Sequence, residues 1–193
     1  MSDLQRDDLQ RRRTREGLVF LIAFAACVPL ANWLIQHVGT TCVPNGPCLI
    51  PVAPGLMAPS GVLMVGLALV LRDLVQRRLG LARAATAILV GAGLSATFAP
   101  PSLVIASAVA FLLSEAADLC VYTPLQRRQF MLAVAASSFV GIVVDSIVFL
   151  ALAFGSLDFL LGQIVGKTWM VVATLPVLWW LRARDQRLGL DPV

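Results

Sequence analysis

The chain has 193 residues, of which 59% are hydrophobic and only 13% are charged, and its mean hydropathy is +0.85. A soluble protein is about 45–50% apolar and about 25% charged, so this composition excludes an ordinary water-soluble domain. The net charge is +4, but the basic residues lie at the ends of apolar runs rather than on one polar face, which argues against a nucleic-acid partner.

Uncharged runs long enough to cross about 30 Å of hydrocarbon predict six transmembrane helices. In chain order they are residues 17–38, 55–71, 84–99, 102–120, 130–154 and 159–181. A charged tail, residues 1–16, precedes them, and a second tail, residues 182–193, follows them. The first run begins like a signal peptide, but it continues to about Val38, and we expect it to remain as an uncleaved helix.

The arginines supply an independent test of this count. Basic residues near the ends of spans are retained in the cytoplasm. Of the 15 lysines and arginines, 14 lie in the two tails, between the second and third runs, or between the fourth and fifth, which are alternate segments of the chain. The sequence therefore predicts an all-α membrane protein, a bundle of six transmembrane helices with both termini in the cytoplasm. The exception is Lys167, inside the sixth run.

The segment 39–59 lies on the predicted outer side and is rich in proline and glycine. It cannot be helical throughout, and irregular backbone is tolerated near a membrane only outside the hydrocarbon or inside protein. We therefore interpret it as an outer cap over the mouth of the bundle. Cys42 and Cys48 would face an oxidising compartment, where they either form a small disulfide loop or stay as two free thiols.

Polar side chains recur at membrane depth, where an ionisable group costs several kcal/mol and by default marks a functional site or a buried partner. The three last runs each carry their polar residues on one helical face, which cannot be turned to lipid and predicts a cavity inside the bundle. Across all six runs, the polar residues at or near membrane depth are Asn32, Asp73, Glu115, Asp118, Asp145, Gln163 and Lys167.

Two of these residues are predicted to be neighbours. Asp145 and Lys167 each lie about nine residues from the outer ends of consecutive spans, so both are about 13 Å below the outer surface. Either they form a buried ion pair that holds two helices together, or they form a pair whose partners change with substrate or proton binding.

A second pair, Glu115 and Asp118, lies one turn apart, closer to the cytoplasm. Two close carboxylates in a low dielectric share a proton or bind cationic donors, for which Arg72 and Arg127 are the candidates at this depth. The alternative is that Glu115 accepts hydrogen bonds from a ligand.

The sequence gives little support for an enzyme. Gly166-Lys167-Thr168 matches the end of a P-loop, but Leu161 stands where the opening glycine is required and no strand precedes it. The sole histidine, His37, lies at an outer helix end without an obvious catalytic partner. We therefore expect no catalytic residue, no metal and no cofactor.

Several short motifs in combination resemble one family, the queuosine precursor transporters, also called the vitamin uptake transporter (VUT) family. The most specific combination is Ser-Glu-x-x-Asp followed by Asp-Ser and Gln-x-x-x-Lys. The motifs are Pro59-Ser60-Gly61, Leu71-Arg72-Asp73 with Gly80, Ala110-Phe111-Leu112-Leu113-Ser114-Glu115 with Asp118, Val121-Tyr122-Thr123-Pro124-Leu125, Val144-Asp145-Ser146 with Phe149, Gly162-Gln163 and Gly166-Lys167.

This resemblance implies a multi-pass protein of a bacterial inner membrane that imports a purine-like base, a 7-deazaguanine of the preQ0 or preQ1 type, used in tRNA modification. The alternative is a substrate-binding S-type subunit of a multi-component vitamin importer. The expected partners of the chain are the small-molecule substrate, the lipid bilayer and, in a homodimer, a second copy of the chain. We expect substrate binding by Asn32, Glu115, Asp118, Asp145, Gln163 and Lys167, and gating or coupling by Arg72, Asp73 and Tyr122.

Overall fold

The computed structural model describes residues 3–44, 46–98, 101–125 and 129–189 of the chain. Within these ranges the chain forms six helices and one small antiparallel sheet of order β1-β2-β3. The helices are α1 (Asp3–His37), α2 (Val62–Leu79), α3 (Leu81–Phe98), α4 (Pro101–Leu125), α5 (Phe130–Phe154) and α6 (Leu160–Leu188). The strands are β1 (Thr41–Cys42), β2 (Cys48–Ala53) and β3 (Leu56–Pro59).

Four of the helices in the described part of the chain are long and apolar enough to cross a membrane. These stretches are Asp7–His37, Pro101–Leu125, Met131–Phe154 and Leu160–Leu188. Large apolar side chains on them point outward, among them Ile22, Ile105 and Trp179, each more than 60% exposed. Such a surface is suited to lipid and not to water. The chain is therefore a multi-pass membrane protein, and the count of six spans stays a prediction.

The second predicted span has different bounds in the structure. Residues 55–71 were expected to be helical, but 56–59 form β3 and α2 begins only at Val62. The helix then continues to Leu79, through a segment with several charged side chains. That segment stays helical because acidic residues of α1, α4 and α6 pair with its arginines inside the bundle.

The other helices lie close to their predicted positions but are longer at their ends. The first helix begins at Asp3, so residues 3–16 of the charged tail continue it. The fourth and sixth helices extend to Leu125 and Leu188, beyond the predicted ends at 120 and 181. Charged and polar ends are compatible with helix outside the hydrocarbon, which hydropathy alone does not detect.

The predicted outer cap is the three-stranded sheet. Strand β2 pairs with β1, where Cys42 lies opposite Cys48, and with β3 on its other edge. The Sγ atoms of Cys42 and Cys48 are joined in a disulfide. The sheet is fixed to the bundle by polar contacts: Trp169 Nε1 donates to the Val52 carbonyl at 3.1 Å, and Ser60 Oγ donates to the Leu34 carbonyl at 2.7 Å.

Small residues let α6 approach its neighbours closely. A Cβ on Gly162 would collide with the carbonyl of Met57 in β3, and a Cβ on Gly66 of α2 would lie 2.8 Å from the carbonyl oxygen of Lys167. This is the packing typical of small residues between membrane helices. It fixes the position of the α6 turn that carries Lys167.

At the opposite end of the bundle from the sheet, ion pairs join α1, α2 and α6. Arg78 Nη2 lies 2.7 Å from Asp185 Oδ1, and Arg78 Nε lies 3.0 Å from Glu16 Oε2. Arg184 Nη2 contacts the same Glu16 oxygen at 2.6 Å, and Arg77 Nε lies 3.4 Å from Asp185 Oδ2. These five residues, the inner ion network, tie the ends of three helices together.

Candidate functional site

A cavity of about 90 Å³ lies between the helices beneath the sheet. One water needs about 10–15 Å³ of such space, so the cavity has room for several waters. Its wall is mostly apolar and comes from α1 to α6, together with Pro59 and Gly61 at the start of α2. The polar residues in the wall are Asn32, Ser107, Asp145, Gln163 and Lys167.

Lys167 is the centre of the polar side of this cavity. Its ammonium donates to Asp145 Oδ2 at 2.5 Å, to Ser146 Oγ at 2.8 Å and to Gln163 Oε1 at 2.7 Å. The predicted neighbourhood of Asp145 and Lys167 is confirmed. The antiparallel α5 and α6 produce it, because equal distances from a short connection bring two residues to the same depth. All of these side chains are buried.

This arrangement determines which atoms can meet a ligand. An ammonium has three N–H donors, and Lys167 uses all of them within the protein. The second carboxylate oxygen of Asp145 can still accept hydrogen bonds. Gln163 uses its carbonyl oxygen for Lys167, so its NH₂ group is the end that can donate. The cavity therefore offers a carboxylate acceptor beside an amide donor.

Two aromatic rings complete the wall, Phe111 of α4 and Phe149 of α5. Phe111 also stacks on Phe24 of α1, with ring centroids 5.8 Å apart. Neither ring was predicted to line the site. Helical spacing could have found Phe149, since it lies four residues after Asp145 and therefore on the same face.

A second buried cluster surrounds Arg72 of α2, which is fully buried. Its guanidinium Nη1 lies 2.9 Å from Asp73 Oδ1 and donates to Gln76 Oε1 at 3.2 Å. Its Nε forms an ion pair with Glu115, and its Nη2 both pairs with and donates to Asp118. We call Arg72, Asp73, Glu115 and Asp118 the Arg72 cluster.

The predicted binding residues thus fall into two groups. Asn32, Asp145, Gln163 and Lys167 lie in the cavity wall, whereas Glu115 and Asp118 do not appear among the described residues that form it. The guanidinium fork, which matches carboxylate geometry, holds these two acids instead. Arg127, the other candidate partner, lies outside the described residues, as does Arg128.

The two groups are close enough to interact. Glu115 has an electrostatic interaction with Asp145, the carboxylate of the cavity. Gly141 of α5, one turn from Asp145, lies against Asp118 of α4: a Cβ there would be 3.6 Å from Asp118 Oδ1. The packing of α5 against α4 thus brings the carboxylate of the cavity and the Arg72 cluster to neighbouring turns.

Tyr122 completes the set of predicted gating or coupling residues. It is fully buried in the core formed with Leu69, Val134 and Leu178. Its hydroxyl makes no hydrogen bond within the described part of the chain. It interacts electrostatically with Asp73, Arg72 and Asp118, which places it beside the Arg72 cluster.

A multi-pass helical bundle that encloses a mostly apolar cavity, with a buried Asp145–Lys167 pair in its wall, is compatible with a membrane transport protein. Residues 95–181, from the end of α3 to the middle of α6, match the model of a family described as "Putative vitamin uptake transporter". The match covers less than half of the chain and includes Glu115, Asp145 and Lys167. No curated protein and no solved structure matches the chain.

Proposed function

We propose that this chain imports a purine-like base, a 7-deazaguanine of the preQ0 or preQ1 type, across the inner membrane of a bacterium. In this proposal it spans the membrane six times, with both termini in the cytoplasm. The observation that supports it most is the placement of Asp145, Gln163 and Lys167 in the wall of one cavity. The family match over 95–181 points to the uptake of a small organic molecule.

The chemistry of the cavity suits such a base. A guanine-like edge presents two adjacent N–H donors and one carbonyl acceptor. The second oxygen of Asp145 accepts from the donors, and the amide of Gln163 or Asn32 donates to the carbonyl. A flat ring can stack on Phe111 or Phe149.

Asp145 takes the role that the sequence analysis gave to Glu115, because Asp145 is the carboxylate in the cavity wall. We assign Glu115 and Asp118, with Arg72, Asp73 and Tyr122, to coupling instead.

The test is uptake of a labelled 7-deazaguanine into proteoliposomes that contain the purified chain as the sole protein. We expect flux above that of empty vesicles, inhibited by guanine but not by unrelated vitamins. Gln163→Leu, which removes the amide at similar volume, should lower uptake at least tenfold. Gln186→Leu is the matched control, since Gln186 is exposed on the same helix, and it should transport normally.

The absence of flux above empty vesicles would refute the proposal. Tight binding of the base without flux, together with co-purification of ATPase subunits, would favour the substrate-binding subunit of a multi-component importer. Equal loss of uptake in Gln163→Leu and Gln186→Leu would show that the cavity amide has no specific part in recognition.

A further inference from the structure

The Arg72 cluster contains more acid than base. One guanidinium faces three carboxyl groups, and all four side chains are at most 2% exposed. Full ionisation would leave two uncompensated negative charges inside the bundle. An uncompensated buried charge costs several kcal/mol, so this state is strongly disfavoured in a membrane protein. The cluster needs additional positive charge.

The cluster is also short of hydrogen-bond donors. The contacts of Arg72 engage one oxygen each of Asp73, Glu115 and Asp118, and one of Gln76. The other oxygens of Asp73 and Glu115, Oδ2 and Oε1, are buried and have no hydrogen-bond or ion-pair partner in the described ranges. An ionised carboxylate only accepts hydrogen bonds, whereas a protonated one also donates. One proton on Asp73 or Glu115 reduces the two uncompensated charges to one and adds a hydrogen-bond donor to the cluster.

Tyr122 supplies an independent observation. Its hydroxyl is fully buried, interacts electrostatically with Asp73 and Asp118, and has no hydrogen-bond partner among the described residues. Burying a hydroxyl without a partner costs about 1–3 kcal/mol. Tyr122 is therefore a further buried polar group whose hydrogen-bonding capacity is unused in the described ranges.

The two nearest cations outside the cluster contact acids that do not belong to it. Lys167 of α6 is matched by Asp145 of α5, which is the charge that α5 presents to Glu115. Arg77, one turn further along α2, is in contact with Asp185 of the inner ion network. The charged and titratable groups around the surplus, helix by helix, are Arg72, Asp73 and Arg77 on α2, Glu115, Asp118 and Tyr122 on α4, Asp145 on α5, and Lys167 and Asp185 on α6.

We propose that the Arg72 cluster binds a proton on Asp73 or Glu115, and that this is the ion whose movement accompanies import; the second part rests on the proposed function. An O–H bond forms on the carboxylate with a proton from water on the outer side, and it breaks when the proton leaves to cytoplasmic water. Gly141 of α5, one turn from Asp145, packs against Asp118 of the cluster, and this packing joins the event to the cavity. By linkage, a ligand that changes proton affinity at the cluster has its own affinity changed by protonation.

The first experiment measures the proton without any substrate. Infrared spectra of the full chain in lipid bilayers should show the C=O stretch of a buried protonated carboxylic acid at neutral pH. The band should disappear at high pH. This measurement on the unmodified chain does not depend on the folding of a variant, and the absence of such a band would overturn the proposal.

Variants then locate the proton. Asp73→Asn or Glu115→Gln should reduce the band at least twofold, and the double variant should lose it. Asp158→Asn is the matched control, because Asp158 is exposed in the connection between α5 and α6. A band that is unchanged in the double variant would overturn the assignment to this cluster.

The second experiment tests coupling in proteoliposomes with the labelled base. An inward proton gradient should accelerate uptake severalfold, and the Asp73→Asn/Glu115→Gln variant should lose this acceleration. Uptake that responds to a sodium gradient alone, or to no gradient, would overturn the coupling while base import stands. A protonated-carboxyl band in a chain that moves no base would refute the proposed function and leave the proton site intact.

Discussion

Removal of the Lys167 ammonium is the perturbation whose effect the structure specifies best. Lys167 is 1% exposed and Asp145 is 6% exposed, so neither group can turn to water when its partner is lost. Lys167→Met keeps most of the length of the side chain but removes the charge and three hydrogen bonds. Asp145 is then left as an uncompensated carboxylate beside an apolar cavity wall.

The expected cost follows from that burial. Breaking a buried ion pair by removal of one partner destabilises a protein by about 3–5 kcal/mol. A typical domain has only about 5–15 kcal/mol in total, so the variant should lose a large fraction of its stability. Replacement of both charges, in Asp145→Asn with Lys167→Met, leaves no unpaired charge. The double variant should therefore be more stable than the sum of the two single effects predicts, with a coupling energy above about 1 kcal/mol.

The assay is reversible denaturant unfolding in mixed micelles, with the wild type, both single variants and the double variant forming one cycle. Arg187→Met serves as the control, because Arg187 is exposed near the end of α6. Its effect should stay within about 0.5 kcal/mol. A Lys167→Met variant as stable as the control, or single effects that simply add, would refute the view that this pair is a buried, mutually compensating unit.

Three further outcomes follow from the packing. Arg72→Gln should destabilise the fold by at least about 3 kcal/mol in the same assay, because three carboxyl groups lose their common partner, and Arg72→Lys should restore only part of this, since an ammonium lacks the guanidinium fork. Gly162→Ala should lower the melting temperature in micelles because its methyl group meets a backbone carbonyl of β3, whereas Gly141→Ala, with its nearest atom at 3.5 Å, should be close to wild type. Replacing Cys42 and Cys48 by serine should cost about 2 kcal/mol from the loop-closure entropy of a short loop, and thiol labelling of the unfolded, unreduced chain should find these two cysteines blocked.

Depth counting along helices explains which contacts could be predicted from the sequence. Asp145 and Lys167 lie on consecutive antiparallel helices, so their distance from the shared connection sets their relative position, and this needs no knowledge of the tertiary packing. The face that each side chain occupies follows from helical periodicity in the same way. The α5–α6 contact was therefore accessible to sequence reasoning.

Contacts between helices distant in the sequence were predicted less completely: Arg72 was one of two candidate partners for Glu115 and Asp118, and the structure confirms it. Glu115 and Asp118 lie on the polar face of α4, so periodicity placed both of them at the predicted cavity. In the structure this polar face of α4 is divided, because Arg72 of α2 pairs with its deeper residues, Glu115 and Asp118. The residue of α2 that lies opposite Glu115 and Asp118 depends on where α2 begins. The predicted start at residue 55 was wrong.

That start was wrong because hydropathy cannot distinguish an apolar strand from the beginning of an apolar helix. Residues 48–59 pair as β2 and β3 over the bundle, and their main-chain groups are satisfied by the sheet ladder. The charged half of α2 shows the reverse difficulty. Its charged side chains make it too polar to be predicted as buried, but acidic residues on other helices pair with them. Burial of compensated charge leaves no trace in a hydropathy profile.

The charged groups lie at three successive levels along the helices: the cavity wall, the Arg72 cluster and the inner ion network. On α2 the chain passes Val62 at the cavity, then Arg72, then Arg78 of the inner ion network, and on α6 it passes Lys167 before Asp185. At 1.5 Å per residue, the 18 residues from Lys167 to Asp185 place Asp185 about 27 Å further along α6, at the end away from the sheet. The half of α2 that bears the arginines thus lies beneath the cavity and closes it on that side. In the proposed transport cycle a base can leave the cavity on that side only if these ion pairs exchange partners, and a proton on the Arg72 cluster lowers the cost of that exchange because it reduces the charge that must be separated.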